Sequence, residues 1–296
     1  MNSDVGVIIV NWNLADDTII CVRSVLASEG ISPYVVIVDN GSSDNSVQQL
    51  QSALPTLPLL SLPENVGLAG GINVALDDIY DKDLEYVLLL NNDTYLAPDC
   101  VYQLLCALNS DLSAAIAGPL ILYADEPEYV WYLGDREKPL WPVPHSLIRG
   151  KRYRDQYKGI LEVDYVSGCA MLVRCSVLKA LGGFNEQLFM HYEDADFCWR
   201  VRGVGRKILS VPDARMWHKV SLSSRSLGTQ INYYRTRNRI WFYATHRHGL
   251  YRAYALSYVL LQELIRCGYT FFIRRQNAFH LCFKAIRHGI SGKLGK

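Results

Sequence analysis

The stretch YVLLLNNDT, Tyr86 to Thr94, decides how the rest of the chain is read. Tyr86–Leu90 is unbroken apolar or aromatic sequence, and it stops abruptly at Asn91, Asn92 and Asp93. A short apolar run closed by polar turn formers predicts a strand buried on both faces. Its polar end then falls at the carboxyl edge of a sheet, where open α/β folds bind ligands. A carboxylate held there by a rigid strand can bind a divalent cation beside a phosphate. An ordinary turn would carry the same residues, since Asn and Asp are turn formers in their own right. The triplet takes its meaning from the sequence around it.

Working outward, the same grammar repeats. Val5–Val10 predicts a strand ending at Asn11-Trp12-Asn13, and Tyr34–Val38 a strand closed by Asp39-Asn40-Gly41. Helical spacing over Asp16–Leu26 separates them, and a helix capped by Ser42 or Ser43 runs to about Gln51. A short strand, Leu57–Ser61, precedes a helix from about Gly70 to Tyr80. Strands alternating with helices predict an α/β domain with a mostly parallel, Rossmann-like sheet and right-handed crossovers. All three polar punctuation marks then lie on one edge and can converge on a single ligand. Neither GxGxxG nor GxxxxGK[ST] is present, so a dinucleotide fingerprint and a P-loop are excluded.

Beyond Asp93 the reading gives a helix over Pro98–Asn109 and a strand over Ala114–Ile121. Residues 122–160 lose periodicity, as a functional loop or lid does. Regularity returns with a strand over Tyr165–Val173, a short helix over Ser176–Leu181 and a last strand over Lys207–Val211. Two further polar groups stand out. Glu193-Asp194-Ala195-Asp196 sets three carboxylates at a helix start, where first-turn acids suit the dipole. Asp196 is spaced to pair with Arg200, which leaves Asp194 as a candidate general base. His218, in RMWHKV, offers a nitrogen ligand that the carboxylate-poor NND lacks, although a lone His is as readily structural.

The overall charge of +1 conceals a split. From Arg225 onward there are 13 Lys and Arg against Glu263 as the single acid. A basic-aromatic C-terminal region of that kind, with Tyr233, Tyr234, Trp241, Phe242 and Tyr243 among its arginines, predicts an amphipathic helical region facing an anionic membrane surface. Nucleic acid fits less well, because no recognised binding module is present. Glu263 and Arg266 interrupt Ala253–Ile273, so no membrane span is expected. The eight cysteines form no CxxC and read as reduced core thiols. With no signal peptide before Val5, the expected location is cytoplasmic, peripheral on the cytoplasmic face of an inner membrane.

In order, VIIVNWN, VVIVDNGSSD, NVGLAGGIN, VLLLNNDT, GGFNEQLFMHYEDADFCWR and WHK resemble family 2 of the inverting glycosyltransferases. More closely they are similar to bacterial rhamnosyltransferase-type members that build polysaccharide and O-antigen chains. The resemblance covers about Val5–Lys219, and YYRTRNR at Tyr233–Arg239 is also typical. It implies a GT-A fold: a nucleotide-sugar-binding half over 1–121, an acceptor and catalytic half over 122–224, and a helical region over 225–296. It also implies a nucleotide site at Asn11, Asn13, Asp39, Asn65, Gly67 and Gly71, with Asn91 and Asn92 beside the diphosphate. Asp93 takes the metal-binding place of the family's DXD motif, and His218 that of a His completing the metal site in some members. Asn91 departs from the pattern, where many members carry Asp.

The resemblance further implies Mg²⁺ or Mn²⁺, a dTDP- or UDP-sugar donor and a saccharide or polyprenyl-diphosphate-linked acceptor. Asp194 matches the catalytic base, with Glu193 orienting it or raising its basicity by like charge. Two other classes remain as rivals. A nucleotidyltransferase should have a Gly-rich first loop bearing Arg or Lys, which Asn11-Trp12-Asn13 lacks. A catalytically silent nucleotide-sugar scaffold would have no use for Glu193-Asp194.

Overall fold

The computed structural model describes residues 5–138, 141–154, 157–220 and 230–296 apart from 275, with the side chains of 270–278 excepted. Its N-terminal half alternates β1 (Val5–Asn11), α1 (Ala15–Leu26), β2 (Tyr34–Asp39), α2 (Ser46–Ala53), β3 (Leu59–Ser61), α3 (Gly67–Asp81) and β4 (Tyr86–Asn91). Next come β5 (Thr94–Leu96), α4 (Cys100–Ser110) and β6 (Ala114–Tyr123). The segment without periodicity holds the short strands β7 (Val130–Tyr132), β8 (Asp135–Arg136), β9 (His145–Ser146) and β10 (Leu161–Val163). The chain continues through β11 (Ala170–Arg174), α5 (Cys175–Ala180), a 3-10 turn at Glu186–Leu188, α6 (Glu193–Gly203) and β12 (Lys207–His218). Three helices follow: α7 (Gln230–His246), α8 (Gly249–Arg274) and α9 (Gln276–Ser291).

The main sheet runs β10-β12-β6-β11-β4-β1-β2-β3, with β5 and β7 pairing at its flanks. Period-two alternation hidden in the apolar runs divides two cores. Val7, Ile9, Leu88 and Leu90 face α1 and α4, whereas Ile8, Val36, Val87 and Leu89 face α3, α5 and α6. Register fixes the site: Asn11 lies opposite Asp39, and Val10 opposite Asn91, so three strand ends meet at one edge.

Several boundaries differ from expectation for identifiable reasons. The helix expected from Ser42 or Ser43 starts at Ser46, because the Ser42 hydroxyl is engaged by Asp39 and Asn13 instead. The helix expected from Gly70 begins at Gly67, where the Asn65 side chain accepts the Gly67 N–H at 2.9 Å. The strand expected from Tyr165 begins only at Ala170, and it runs antiparallel between β4 and β6. Ahead of it, the Gly168 N–H is turned toward Asp194. The last strand does not stop at Val211. After a register shift between Val211 and Arg215 it continues to His218, which pairs opposite Thr94.

The eight cysteines are free thiols, and Cys106 is the exposed one. The expected boundary at 224/225 lies outside the described residues. Further on, α7 is inserted rather than appended: Thr236, Arg237 and Asn238 are buried, and Arg237 is among the largest fully buried side chains.

Candidate active site

The first wall of the site is a hydrogen-bonded lattice at the strand ends. Asn11 donates to Asp39 Oδ1 at 2.7 Å and accepts from the Thr18 hydroxyl at 2.8 Å. Asp39 also receives the Ser42 hydroxyl at 2.6 Å and the Ser42 N–H at 3.0 Å. Asn92 reaches Thr18 at 3.0 Å, which ties the NND turn to β1. Asn13 accepts the Ser43 N–H at 2.8 Å. Asn40, buried, donates to the Gly67 carbonyl at 3.0 Å and accepts from the Val66 N–H at 3.0 Å.

The structure thus brings Asn40, Asn65, Asn91, Asn92 and Asp93 onto the wall of a cavity of about 970 Å³. Asn11, Asn13, Asp39, Gly67 and Gly71 stand behind that wall and position it. Gly67 has φ +84°, and a Cβ there would lie 2.3 Å from the Phe189 carbonyl oxygen. Gly71 packs on Val10, 3.0 Å from where its Cβ would be. In both glycines the missing side chain admits protein atoms.

Asp93 and His218 meet at the mouth of this lattice, both buried, with His218 Nε2 3.2 Å from Asp93 Oδ1. Asp93 Oδ1 is buried and, this ion-pair contact with the imidazole aside, has no hydrogen-bond partner. Burial opposes a charged imidazole, but negative charge on the Cys169 sulfur and the Asp93 carboxylate, with their hydrogen bonds, outweighs it and pushes His218 up to about 10. A divalent cation would take the place of that proton, since His binds metals through a neutral nitrogen. Adjacent ligands about 2.1 Å from an octahedral ion lie about 3 Å apart, close to this pair's spacing. The orphaned oxygen and the hard carboxylate–imidazole donor set therefore fit Mg²⁺ or Mn²⁺. Among the described residues, no group of three or more His, Cys, Asp or Glu is placed to hold a metal ion. Further ligands must come from substrate oxygens and water.

The second wall is the hook from Asn185 into α6. Phe189, His191 and Tyr192 have φ of 61°, 65° and 72°, a costly left-handed conformation for residues with side chains. The hook delivers Asp194 to the cavity. Asp194 Oδ2 accepts the Tyr165 hydroxyl at 2.5 Å and the Gly168 N–H at 2.8 Å, and Oδ1 accepts the Ala195 N–H at 2.8 Å. Held through Oδ2, the carboxylate lines the cavity and keeps lone-pair capacity to spare on Oδ1.

Glu193 is also buried, with Oε2 unpartnered, and burial followed by the charge of Asp194 pushes its carboxyl up to about 8. Burial and the neighbouring Asp194 charge both favour the protonated form of this carboxyl, so the two acids are coupled by like charge. Asp196 is structural: Arg200 and His246 each bond it at 2.8 Å, which fastens α6 to α7.

What holds the strained hook comes from α7. The Asn238 amide nitrogen faces the carbonyls of Leu188, Met190 and His191 at 2.7, 2.8 and 2.8 Å. Arg237 donates to the Leu188 carbonyl at 3.2 Å and lies over the Tyr233 and Tyr234 rings. The C-terminal helices also line the cavity with Arg235, Arg239, Tyr243, Gln262, Glu263 and Arg266. A basic region expected to face outward thus turns part of its charge into the site.

Sequence reasoning missed Tyr165, Gly168, Asp135 and His191, all on the cavity wall. Asp135 Oδ1 and His191 Nε2 are buried without partners, and such orphans facing a cavity mark places a ligand can satisfy. Burial raises the Asp135 carboxyl to about 6 against the opposing pull of Tyr132 and Arg149. Tyr165, Gly168 and Asp135 fall in no motif, and their signal lies in the sheet topology that brings residues 130–168 over α6. His191 falls within GGFNEQLFMHYEDADFCWR, where the acids drew the reading.

Residues 6–182 match the family described as Glycosyl transferase family 2. A dTDP-rhamnosyl transferase of Shigella flexneri is 24% identical over 246 residues, spanning 80% of this chain and 79% of the relative. An N-acetylglucosaminyl-diphospho-decaprenol L-rhamnosyltransferase of Mycobacterium tuberculosis is 28% identical over 210 residues, 62% of this chain and 66% of its own. Among solved structures, a mannosyltransferase of Pyrobaculum calidifontis in complex with GDP-Man and Mn²⁺ superposes with a TM-score of 0.61. It is 14% identical, and the match covers 99% of this chain and 88% of that one. At that identity it supports the GT-A fold alone.

Proposed function

The chain belongs to glycosyl transferase family 2 and is a sugar-transferring enzyme, and we propose that it moves a sugar, rhamnose foremost, with inversion from a dTDP- or UDP-sugar to a lipid-linked saccharide. The observation that carries this reading is the held carboxylate of Asp194, aimed into the same cavity as the Asp93–His218 pair. The choice of sugar and acceptor leans on the dTDP-rhamnosyl transferase of Shigella flexneri and the decaprenol-linked rhamnosyltransferase of Mycobacterium tuberculosis.

In the proposed reaction the nucleotide lies along the wall built by Asn11, Asn13, Asp39, Asn65, Gly67 and Gly71, with Asn40 and Asn92 facing it. Asn91 and Asn92 sit beside the diphosphate, and Asp93 with His218 would hold Mg²⁺ or Mn²⁺. The ion would act there as a Lewis acid that neutralises charge on the leaving diphosphate. Asp194 Oδ1 takes the proton of the acceptor hydroxyl as that oxygen bonds to the anomeric carbon. The bond from carbon to phosphate oxygen breaks on the opposite face, and its electron pair leaves with the nucleoside diphosphate. Tyr165 and Gly168 keep Oδ1 aimed while this happens. Glu193, buried next to Asp194 and raised by its charge, supports that carboxylate from the same helix turn. We place the enzyme at an anionic inner-membrane surface on its cytoplasmic side, a reading supported by the cationic C-terminal region. Among the described residues no helix is long and apolar enough to cross a membrane.

Purified protein incubated with dTDP- and UDP-sugars, an acceptor saccharide and Mg²⁺ or Mn²⁺ tests the reading. The expected product is free nucleoside diphosphate matched by glycosylated acceptor, lost in EDTA and in Asp194→Asn, with donor binding kept in the variant. Release of pyrophosphate would point to a nucleotidyltransferase, and binding without turnover to a silent scaffold. Wild-type turnover by Asp194→Asn would overturn the base assignment, and full activity without metal the Asp93–His218 role.

A further inference from the structure

We propose that the outer face of α8, whose inner face lines the cavity, is a docking surface for an anionic lipid bilayer. This rests on the lipid-linked acceptor proposed above and names the surface that would meet it. The sequence pointed to the aromatic-basic run of α7 as the membrane face. In the structure Tyr234, Phe242 and Tyr243 of that run are buried, so they are not available to lipid.

The exposed apolar surface lies on the next helix. Leu250, Tyr254, Leu261, Leu264, Ile265 and Tyr269 are all exposed, Leu250 at 91% and Ile265 at 64%. At about 100° per residue these positions fall within an arc of about 140°. Ala255, Val259 and Cys267 occupy the opposite side and pack into the helical core. Gln262, Glu263 and Arg266 face the cavity from the same two turns that expose Leu261, Leu264 and Ile265. One stretch of helix therefore lines the cavity on one side and carries bare apolar groups on the other.

Charge decides the occupant. The single acid of residues 225–296, Glu263, is 2% exposed and is held by Arg239 and Arg266. The apolar stripe itself carries no charge, and the described surface around it, on α8, α9 and the residues after them, shows the cations Arg252, Lys284, Arg287, Lys293 and Lys296 and no side-chain carboxylate. A second copy docking through this face would set like charges together. Anionic headgroups instead contribute about 1 kcal/mol per Lys or Arg near the surface, while the apolar stripe enters the acyl boundary.

The test is co-sedimentation of the full chain with phosphatidylglycerol–phosphatidylcholine vesicles, against phosphatidylcholine alone, for wild type and Leu261→Glu/Ile265→Glu. Both substitutions sit at solvent-exposed helical positions, and circular dichroism checks that the variant folds. Wild type should bind the anionic vesicles, and the variant should partition at least 10-fold less. Its turnover on a water-soluble acceptor should stay unchanged while turnover on a vesicle-borne acceptor drops. Equal sedimentation of the two proteins would overturn the proposal. So would light scattering that shows a dimer dissolved by the substitutions, with no vesicle binding. Vesicle binding as described, with no sugar transfer to any acceptor, would sink the proposed reaction and leave the docking surface standing.

Discussion

Tyr165 donates its hydroxyl to Asp194 Oδ2 at 2.5 Å, joining the approach to β11 to the first turn of α6. Burial, reinforced by the Asp194 charge, holds the phenol well above its ordinary range, so it stays a donor at any working pH. Tyr165→Phe keeps the packed ring and removes this hydrogen bond. We expect kcat to fall about 10- to 100-fold, part of what a positioned base contributes. Donor affinity measured by calorimetry should be unchanged, and an unaltered kcat would remove Tyr165 from the site's machinery.

Glu193 predicts a pH signature in stability. Its folded carboxyl is raised to about 8 from 4.5, so between those values the folded chain holds a proton that the unfolded chain releases. The stability from that proton is complete below the unfolded value and is lost as pH rises through the folded one. Wild type should therefore lose stability from pH 5 to pH 8.5, by an amount on the order of a few kcal/mol. Glu193→Gln should lose less over that range. Melting temperatures at three pH values check this, and parallel curves for the two proteins would contradict a neutral Glu193.

Gly67→Ala tests the contact between the nucleotide wall and the catalytic hook. The new methyl would meet the Phe189 carbonyl at 2.3 Å from a backbone at φ +84°. The expected cost is about 2 kcal/mol or more from the left-handed conformation and the displaced turn. Urea unfolding gives the number, and a loss under 0.5 kcal/mol, within the range of ordinary surface changes, would rule out the close approach.

Asn238→Ala removes the amide that faces the carbonyls of Leu188, Met190 and His191. The left-handed run at Phe189, His191 and Tyr192 then loses its brace. We expect faster amide hydrogen exchange in residues 186–196 and lower kcat, with a stability loss of about 1–3 kcal/mol. Unchanged exchange in that segment would show the brace to be dispensable.

The strand ends at Asn11, Asp39 and Asn91 were legible because buried parallel strands stop sharply at polar residues, and register then aligns them. Asp93, Asp194 and His218 were legible as types: carboxylates and an imidazole placed just after strands or at a helix start. Tyr165 was not, since it reads as one more strand residue until β11 is seen to begin five residues later. Nor was the inward turn of α7. Polar Thr236, Arg237 and Asn238 are buried because Arg237 and Asn238 satisfy the carbonyls of the hook and Thr236 bonds Glu263 of the next helix.

The placement of β11 between β4 and β6 bears on the order in which the chain can assemble. Residues 170–174 complete a sheet whose neighbouring strands were made some 50 to 80 residues earlier. During synthesis the facing edges of β4 and β6 stay unpaired until that segment emerges, and unpaired apolar edges invite aggregation. A fragment ending before residue 170 should be insoluble, whereas one that includes β11 can close the sheet's centre. The antiparallel strand that carries no catalytic group is therefore the step on which a productive nascent chain depends.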